Sequence, residues 1–327
     1  MRRKIFVVNG KLAVGAAGSV LHIRRFLDDL VSEFATRPAF TYAQLKGFLS
    51  QYESRQDGKT ILAEIGAVIL AEATDWRGSL TSGLANQTNF VSDRFGRVIA
   101  IGTGATTIAE QVQLLDRKYQ YGFSQPSDGG AEFPEFTTLA NNLMLLANVY
   151  WNEFASTNNI FDAWGGAYDL IYQGADNQFT YLDQYTLFLR FYDIDHADQG
   201  IQLANVLKYR RQSEVSYIAM LNNGQLDFFG AKDITASDEP SQFEVGGPDF
   251  TMNSRVHVSI IAVGKEGRFA PPLIQIDGLG SAKQAKQTVF TWFDEDRRLC
   301  VAFNKAHDEW LTAEAKAYFD RFADKWS

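Results

Sequence analysis

The first twenty residues constrain the fold of this chain more than any other segment. Two apolar runs, Lys4–Asn9 and Lys11–Ala16, flank an Asn9-Gly10 pair. Asn-Gly between two such runs predicts a two-residue hairpin, because both residues of that turn adopt a positive φ. A small-residue corner follows at 16–19, and helical periodicity begins at once over Leu21–Ala35. A Gly-Ser corner before a helix leaves backbone N–H groups free at the helix N-terminus, where an oxyanion can be held.

The rest of the chain alternates between helical and strand patterns, which indicates an α+β fold. Further helices are predicted at Tyr42–Tyr52, Thr107–Tyr119, Thr137–Phe154, His196–Arg211 and Asp308–Trp326. The pattern of Ile61–Thr74 fits either a buried strand or a helix. Strands are predicted at Trp76–Thr81, Asn89–Ser92, Arg97–Thr103, Arg255–Val263, Pro272–Ile276, Val289–Phe293 and Leu299–Phe303, a strand or strand pair at Thr180–Tyr192, and a hairpin of Tyr217–Leu221 and Gln225–Gly230. The segments Ser124–Glu132 and Lys232–Asp249 have the Pro and Gly content of loops.

Composition narrows the class of protein. The chain is 46% hydrophobic and 21% charged, which is typical of a soluble globular protein. A net charge of −8 argues against a nucleic-acid-binding surface, which is usually basic. No apolar run approaches the length of a transmembrane helix, and the start does not read as a signal peptide, so we expect a cytoplasmic protein without a membrane partner. Cys300, the single cysteine, excludes a disulfide within the chain and fits a buried strand.

The segment K-I-F-V-V-N-G-K-L-A-V-G-A-A-G-S resembles the part of proteasome β-subunits and their HslV-type relatives that carries a catalytic lysine and an oxyanion glycine. Lys4 and Gly18 are fourteen positions apart, as those two residues are in the family. Two later features keep the family's order: a small-residue corner at Gly102–Ala105 and a Gly-Gly strand at 165–169. The resemblance covers residues 3–175, about half of the chain.

The resemblance implies an Ntn-hydrolase αββα sandwich of antiparallel sheets, with a C-terminal α+β extension. It places the proteasome-like domain at 1–195 and a β-rich extension ending in a helix at 196–327. Without the family's first hairpin, sheet edges would be exposed, which proteins rarely leave bare. We therefore expect the C-terminal half to cover or extend those sheets. One alternative puts a hairpin at Val215–Asp233 in the place of the missing first one.

The resemblance also implies roles for four residues. Lys4 matches the lysine, Gly18 the oxyanion glycine, and Thr103 a supporting serine, while Asp162 lies one position from the family's aspartate. Each has a plainer interpretation that stays open. Lys4 is otherwise a solvated basic start, Gly18 a turn or packing glycine, Thr103 a strand-end hydroxyl, and Asp162 a turn cap.

Two departures from the family pattern point away from catalysis. The family's threonine nucleophile begins a segment that precedes the lysine, whereas Met1 stands three residues before Lys4. Trp164 replaces a second supporting serine. We therefore predict a self-assembling, proteolytically inactive protein without cofactor or metal, whose partner is itself. The alternative is a threonine-type peptidase or amidohydrolase with a peptide or protein substrate, whose nucleophile lies upstream or is exposed by processing.

One dense cluster of His and carboxylate residues spans 193–198 and contains Asp193, Asp195, His196 and Asp198. Adjacent residues on a regular element do not face one ion, so a metal site there requires a turn. The alternative, an acidic first turn of a helix, fits the helix dipole.

Overall fold

The structure is a computed structural model that describes residues 5–83, 87–93, 95–102, 105–118, 134–155, 169–174, 176–212, 215–222, 225–232, 256–265, 268–269, 272–277, 289–293 and 299–322. The α+β class is confirmed: helices combine with sheets whose strands pair mainly antiparallel. The contacts divide the chain into two units. The first contains the described residues within 1–120, 159–182 and 231–239, and the second those within 121–158, 183–230 and 240–327.

The first unit is built on a four-stranded antiparallel sheet of order β1-β2-β3-β4. Its elements are β1 (Ile5–Asn9), β2 (Leu12–Gly18), α1 (Val20–Phe34), α2 (Tyr42–Ser54), α3 (Gln56–Glu64), β3 (Ile65–Glu72), β4 (Arg77–Gly83), β5 (Gln87–Ser92), β6 (Gly96–Ile101), α4 (Ala105–Lys118), β7 (Ile171–Gln173) and β8 (Phe179–Tyr181). β5 pairs with β6 and β7 with β8 as separate hairpins. The predicted N-terminal hairpin is confirmed, since Val7 pairs with Ala13. Its predicted turn is wrong: Asn9 pairs with Leu12, so the turn residues are Gly10 and Lys11, and neither Asn9 nor Gly10 has a positive φ. The Asn9 side chain instead accepts a hydrogen bond from the Lys11 N–H at 2.8 Å, and the register shifts between Val7 and Asn9.

Helices α1 to α3 cover one face of this sheet. The buried face of α1 is Ile23, Phe26, Leu27, Leu30 and Phe34, which is the 3.6-residue spacing of an amphipathic helix. These side chains join one core with Leu12, Val14 and Ala16, the residues of β2 that share a face. α2 begins with a capping box, in which the Thr41 hydroxyl accepts from the Gln44 N–H and the Gln44 side chain accepts from the Thr41 N–H.

The second unit is built on a seven-stranded sheet with the path β12-β11-β10-β9-β13-β14, to which β15 adds by pairing with β13. Its elements are α5 (Pro134–Ala155), β9 (Gln184–Asp193), β10 (Ile201–Gln212), β11 (Val215–Asn222), β12 (Gln225–Lys232), β13 (Val256–Lys265), β14 (Arg268–Phe269), β15 (Leu273–Asp277), β16 (Val289–Phe293), β17 (Leu299–Phe303) and α6 (Lys305–Phe322). β9 runs parallel to β13, whereas β10 with β9 and β11, β13 with β14 and β15, and β16 with β17 pair antiparallel.

The two faces of this sheet carry different helices. Trp151 of α5 contacts Phe191 of β9 at 6.3 Å between ring centroids. Leu311 and Ala315 of α6 form a cluster with Tyr192, the next residue of β9. Because successive strand residues point to opposite faces, α5 and α6 lie on opposite sides of the sheet.

The helix predicted at His196–Arg211 is wrong. A short 3-10 turn occupies Ala197–Gln199, and β10 runs over Ile201–Gln212. β10 lies between β9 and β11, and each of the residues 205–209 is buried, so side chains on both of its faces are covered. A strand buried on both faces loses the period of two that identifies it, and pairing with its neighbours rather than local pattern decides its conformation.

The division of the chain differs from the predicted boundary after residue 195. Tyr192 pairs with Ile201 and Gln184 with Arg210, so the strands on either side of that boundary are neighbours in one sheet. The loop predictions at 124–132 and 233–249 and the predicted Gly-Gly strand at 165–168 lie outside the described residues.

Two glycines in α2 and α3 give a direct test of this packing. A Cβ on Gly58 would lie 1.9 Å from the Tyr52 carbonyl oxygen, whereas a Cβ on Gly47 would meet nothing within 4 Å. We expect Gly58→Ala to lower the free energy of unfolding by about 1–3 kcal/mol, the range for overpacking. Gly47→Ala should raise it by about 0.5–1 kcal/mol, because alanine is the better helix former.

Urea unfolding of the two variants measures both changes. A Gly58→Ala protein as stable as Gly47→Ala would contradict the close approach of α3 to the end of α2.

Candidate functional site

Of the four residues to which the resemblance gives roles, the structure describes one. Gly18 ends β2, while Lys4, Thr103 and Asp162 lie outside the described residues, as does Trp164. Two sequence neighbours of these residues are described. Ile5 begins β1, and Gly102 follows β6.

Gly18 stands where only glycine fits. Its φ is +114°, a conformation that residues with a side chain rarely adopt. A Cβ there would lie 2.2 Å from the Glu64 carbonyl oxygen and 3.0 Å from the Ile65 Cα. That oxygen accepts a hydrogen bond from the Ser19 N–H at 3.1 Å. The corner is therefore a contact of backbone against backbone, between the end of β2 and the junction of α3 with β3.

Two more glycines with positive φ meet at the same end of the sheet. Gly83 ends β4 with φ +88°, and a Cβ there would lie 2.1 Å from the Ile65 carbonyl oxygen. Gly102 has φ +88°, and its Cβ would lie 2.8 Å from the Ala17 Cβ. We call Gly18, Ile65, Gly83 and Gly102 the glycine edge. Gly102, the first residue of the predicted corner, thus approaches Ala17, the residue before Gly18.

Helix ends converge on the glycine edge. α3 ends at Glu64, α1 begins at Val20 and α4 begins at Ala105. The first turns of α1 and α4 contain no acidic residue, and the Ser19 side chain makes no capping hydrogen bond. The first hydrogen bond of α1 runs from the Ile23 N–H to the Ser19 carbonyl, so the N–H groups of residues 20–22 precede the bonds made within the helix. Such N–H groups, at the positive end of a helix dipole, suit an anion or an oxyanion.

A charged network behind this corner joins α1 to the junction of α2 and α3. Asp57 contacts Arg55 at 2.7 Å and Arg25 at 3.0 Å. The hydrogen bond from Arg55 holds the pKa of Asp57 at about 2. Burial, with the Asp29 carboxylate as the next cause, raises the pKa of Tyr52 to about 12.

The second unit contains a polar row that the sequence did not reveal. Lys208 pairs with Thr186, and Thr186 pairs with His257, so the three residues lie side by side on β10, β9 and β13. All three are buried. The His257 ring stacks 5.8 Å from Phe188, which lies on the same face of β9 as Thr186. No spacing along the chain brings these residues together, because strand register alone does so.

A buried ion pair lies further along the same face. Arg190 of β9 is 1% exposed and donates to Asp308 in the first turn of α6. Its Cζ lies 3.9 Å from the centre of the Phe303 ring. Burial lowers the pKa of the Arg190 guanidinium, and the Asp308 carboxylate opposes that shift. Arg190 thus holds α6 against the sheet through a buried ion pair, and its charge would be unfavourable there without the Asp308 carboxylate.

The acidic cluster at 193–198 is a surface turn. His196 Nδ1 lies 2.8 Å from Asp193 Oδ2, and both side chains are exposed. This hydrogen bond raises the pKa of His196 and lowers that of Asp193. Asp198 lies in the 3-10 turn and the Asp195 N–H donates to Asp193, so the cluster satisfies itself. Among the described residues, no three His, Cys, Asp or Glu side chains gather as metal ligands would.

Comparisons with known proteins add no relative: no family model, no curated protein and no solved structure matches this chain. The proteasome-like assignment stays a prediction. In the part of the chain that the structure describes, no helix has the length and hydropathy needed to cross a membrane.

Gly18 and Gly15 offer a matched test on one strand. Gly18→Ala should lower the free energy of unfolding by about 1–3 kcal/mol, because its Cβ would meet backbone and its φ is unfavourable. Gly15→Ala should be close to neutral, because a Cβ there would meet nothing within 4 Å. Thermal unfolding of both variants measures the difference, and equal stability would remove the main anchor of the family resemblance.

Asp308 and Glu309, adjacent residues near the start of α6, offer a second matched test. Asp308→Ala would leave the buried Arg190 guanidinium without its counter-charge, so we expect a loss of about 2–4 kcal/mol. Glu309→Ala removes a 3.8 Å pair with Lys305 that is largely exposed, and should cost less than about 0.5 kcal/mol. Chemical denaturation measures both. Equal effects would mean that Arg190 does not depend on Asp308.

Proposed function

We propose that this chain is a proteasome-like Ntn-fold protein that self-assembles and has no peptidase activity. The observation that carries the proposal is the Gly18 corner. The resemblance assigns Gly18 to an oxyanion glycine, and Gly18 has the positive φ and close backbone approach that admit no side chain. A glycine at an ordinary position of β2, such as Gly15, has neither property.

The order of the elements supports the same proposal. A hairpin (β1, β2), three helices (α1 to α3), strands (β3 to β6) and two long helices (α4, α5) follow one another. The resemblance implies a similar order, with two helices rather than three after the hairpin. The small-residue corner after β6 lies against the end of β2, so two segments far apart in sequence share the glycine edge. The Ntn-type αββα arrangement is the finer part of this proposal.

The proposal of inactivity rests on the residue that would stand beside the nucleophile. Trp164 takes the place of a small polar residue in the family pattern. The alternative, a threonine-type peptidase or amidohydrolase whose nucleophile lies upstream or is exposed by processing, is favoured by the N–H groups at the start of α1. Those groups suit the oxyanion of acyl transfer.

Exposed apolar side chains support self-assembly. The first turn of α1 exposes Val20 (45%) and Leu21 (72%) beside the glycine edge, and Val31 is exposed further along the same helix. Exposed apolar residues on one helix suit contact with another protein surface. Val91 of β5, 81% exposed, is a matched apolar position away from α1.

Light scattering and a peptidase assay on one sample test both halves of the proposal. We expect a mass well above 36.6 kDa at micromolar concentration, and no turnover of fluorogenic peptides. Leu21→Glu should lower the mass and Val91→Glu should not, because only the first places a charge in the α1 surface. The proposed assembly fails if the protein is a monomer over a wide concentration range.

Activity separates the two candidate functions. Turnover that an inhibitor of N-terminal threonine abolishes, or a covalent adduct of that inhibitor on this chain, would favour the peptidase. The absence of both would favour the inactive, self-assembling protein.

A further inference from the structure

β1 is an edge strand, and its sequence has few of the features that usually prevent another strand from pairing with such an edge. It occupies one end of the order β1-β2-β3-β4, and its residues are IFVVN, without charge or proline. An edge strand of this composition offers backbone N–H and C=O groups to any extended chain. Natural sheets protect such edges with charges, prolines or a covering element.

The hydroxyl of Tyr181 occupies the position of a neighbouring strand at this edge. It accepts from the Val7 N–H at 2.9 Å and donates to the Ile5 carbonyl oxygen at 3.2 Å. Ile5 and Val7 are two residues apart, so both groups point away from β2 to the same side. One phenol thus satisfies the donor and the acceptor that a pairing strand would otherwise use.

The element that carries Tyr181 is attached to β1 and to the β1–β2 turn by hydrogen bonds, and its described apolar side chains are only half-buried. We call 169–174 and 176–182, with β7 and β8, the strap. Its Phe179 N–H donates to the Gly10 carbonyl at 2.7 Å, and Lys11 Nζ donates to the Asn177 carbonyl at 3.0 Å. Of the described residues in the strap, none is buried. Segments with few buried contacts open locally at low free-energy cost.

We propose that the β1 edge is an interface between two copies of this chain, and that the strap closes it. The partner is a second copy of the chain, because the outward-pointing backbone groups of β1 can pair with the same groups of another β1. In an antiparallel pairing about a two-fold axis at Phe6, Ile5 of one copy faces Val7 of the other. The Ile5 carbonyl of each copy then accepts from the Val7 N–H of the other, which are the two groups that Tyr181 holds. The two four-stranded sheets become one sheet of eight.

This interface is distinct from the α1 surface proposed above and does not depend on the family resemblance. The proposal predicts that dimer formation is controlled by the fraction of molecules whose strap is open, rather than by the strength of the pairing between the two β1 strands. Removing one hydrogen bond from the strap raises the open population by about 3–10-fold. Each dimer needs two open copies, so the dimer dissociation constant falls by about 10–100-fold.

Sedimentation equilibrium of Tyr181→Phe tests the proposal, with Tyr181→Phe/Val7→Pro as its matched control. The first variant removes both hydrogen bonds of the Tyr181 hydroxyl, so it should dimerise about 100–10,000-fold more tightly than the wild type. The second lacks the Val7 N–H, which points outward at the edge, where proline is tolerated. It should return to the wild-type dissociation constant.

Two outcomes would overturn the proposal: Tyr181→Phe within twofold of the wild type, or a double variant that dimerises as tightly as Tyr181→Phe. If Tyr181→Phe does not fold, Lys11→Ala and Lys11→Ala/Val7→Pro decide in the same way, because Lys11 tethers the strap and leaves the β1 edge intact. Assembly of the wild type through α1 should be unaffected by Val7→Pro, so failure of either proposal can be distinguished.

Discussion

The first unit depends on a single backbone contact, the approach of Gly18 to the carbonyl of Glu64. The Cβ of any other residue would lie 2.2 Å from that oxygen. The contact ends β2, begins α1 and fixes where α3 turns into β3. Gly83, at the end of β4, approaches the Ile65 carbonyl oxygen in the same way. Because backbone atoms cannot move aside as flexible side chains can, this end of the sheet has one arrangement, and a site built there would be rigid.

The opposite end of the same sheet is held in another way. The Asn9 side chain donates to the Phe34 carbonyl at 2.8 Å, which fastens the end of α1 to the β1–β2 turn. The strap adds hydrogen bonds from Tyr181 and Lys11 without burying a side chain among its described residues. Each hydrogen bond at a surface contributes little to the free energy of unfolding. The strap can therefore separate from β1 while the glycine edge stays closed.

The second unit places polar and charged side chains where sheets usually place apolar residues. Lys208, Thr186 and His257 lie on three central strands, and Arg190 is buried beneath α6. Removing one partner of a buried pair costs more than the pair itself contributes, because the remaining charge cannot regain water. The Arg190–Asp308 pair therefore specifies where α6 begins on the sheet more than it adds to stability.

The sequence by itself determined the hairpin of β1 and β2, the amphipathic face of α1 and the corner at Gly18, since turn residues and periodicity are local signals. It placed the turn of that hairpin one residue too early, because the Asn9 side chain bonds the Lys11 N–H instead of Asn9 entering the turn. It misassigned 196–211, because a strand buried on both faces has no period of its own. Only the tertiary structure decided which distant residues meet. Register aligned Lys208 with Thr186 and His257, and chain folding brought Tyr181 to Val7, because cross-strand neighbours are set by pairing and not by separation in sequence.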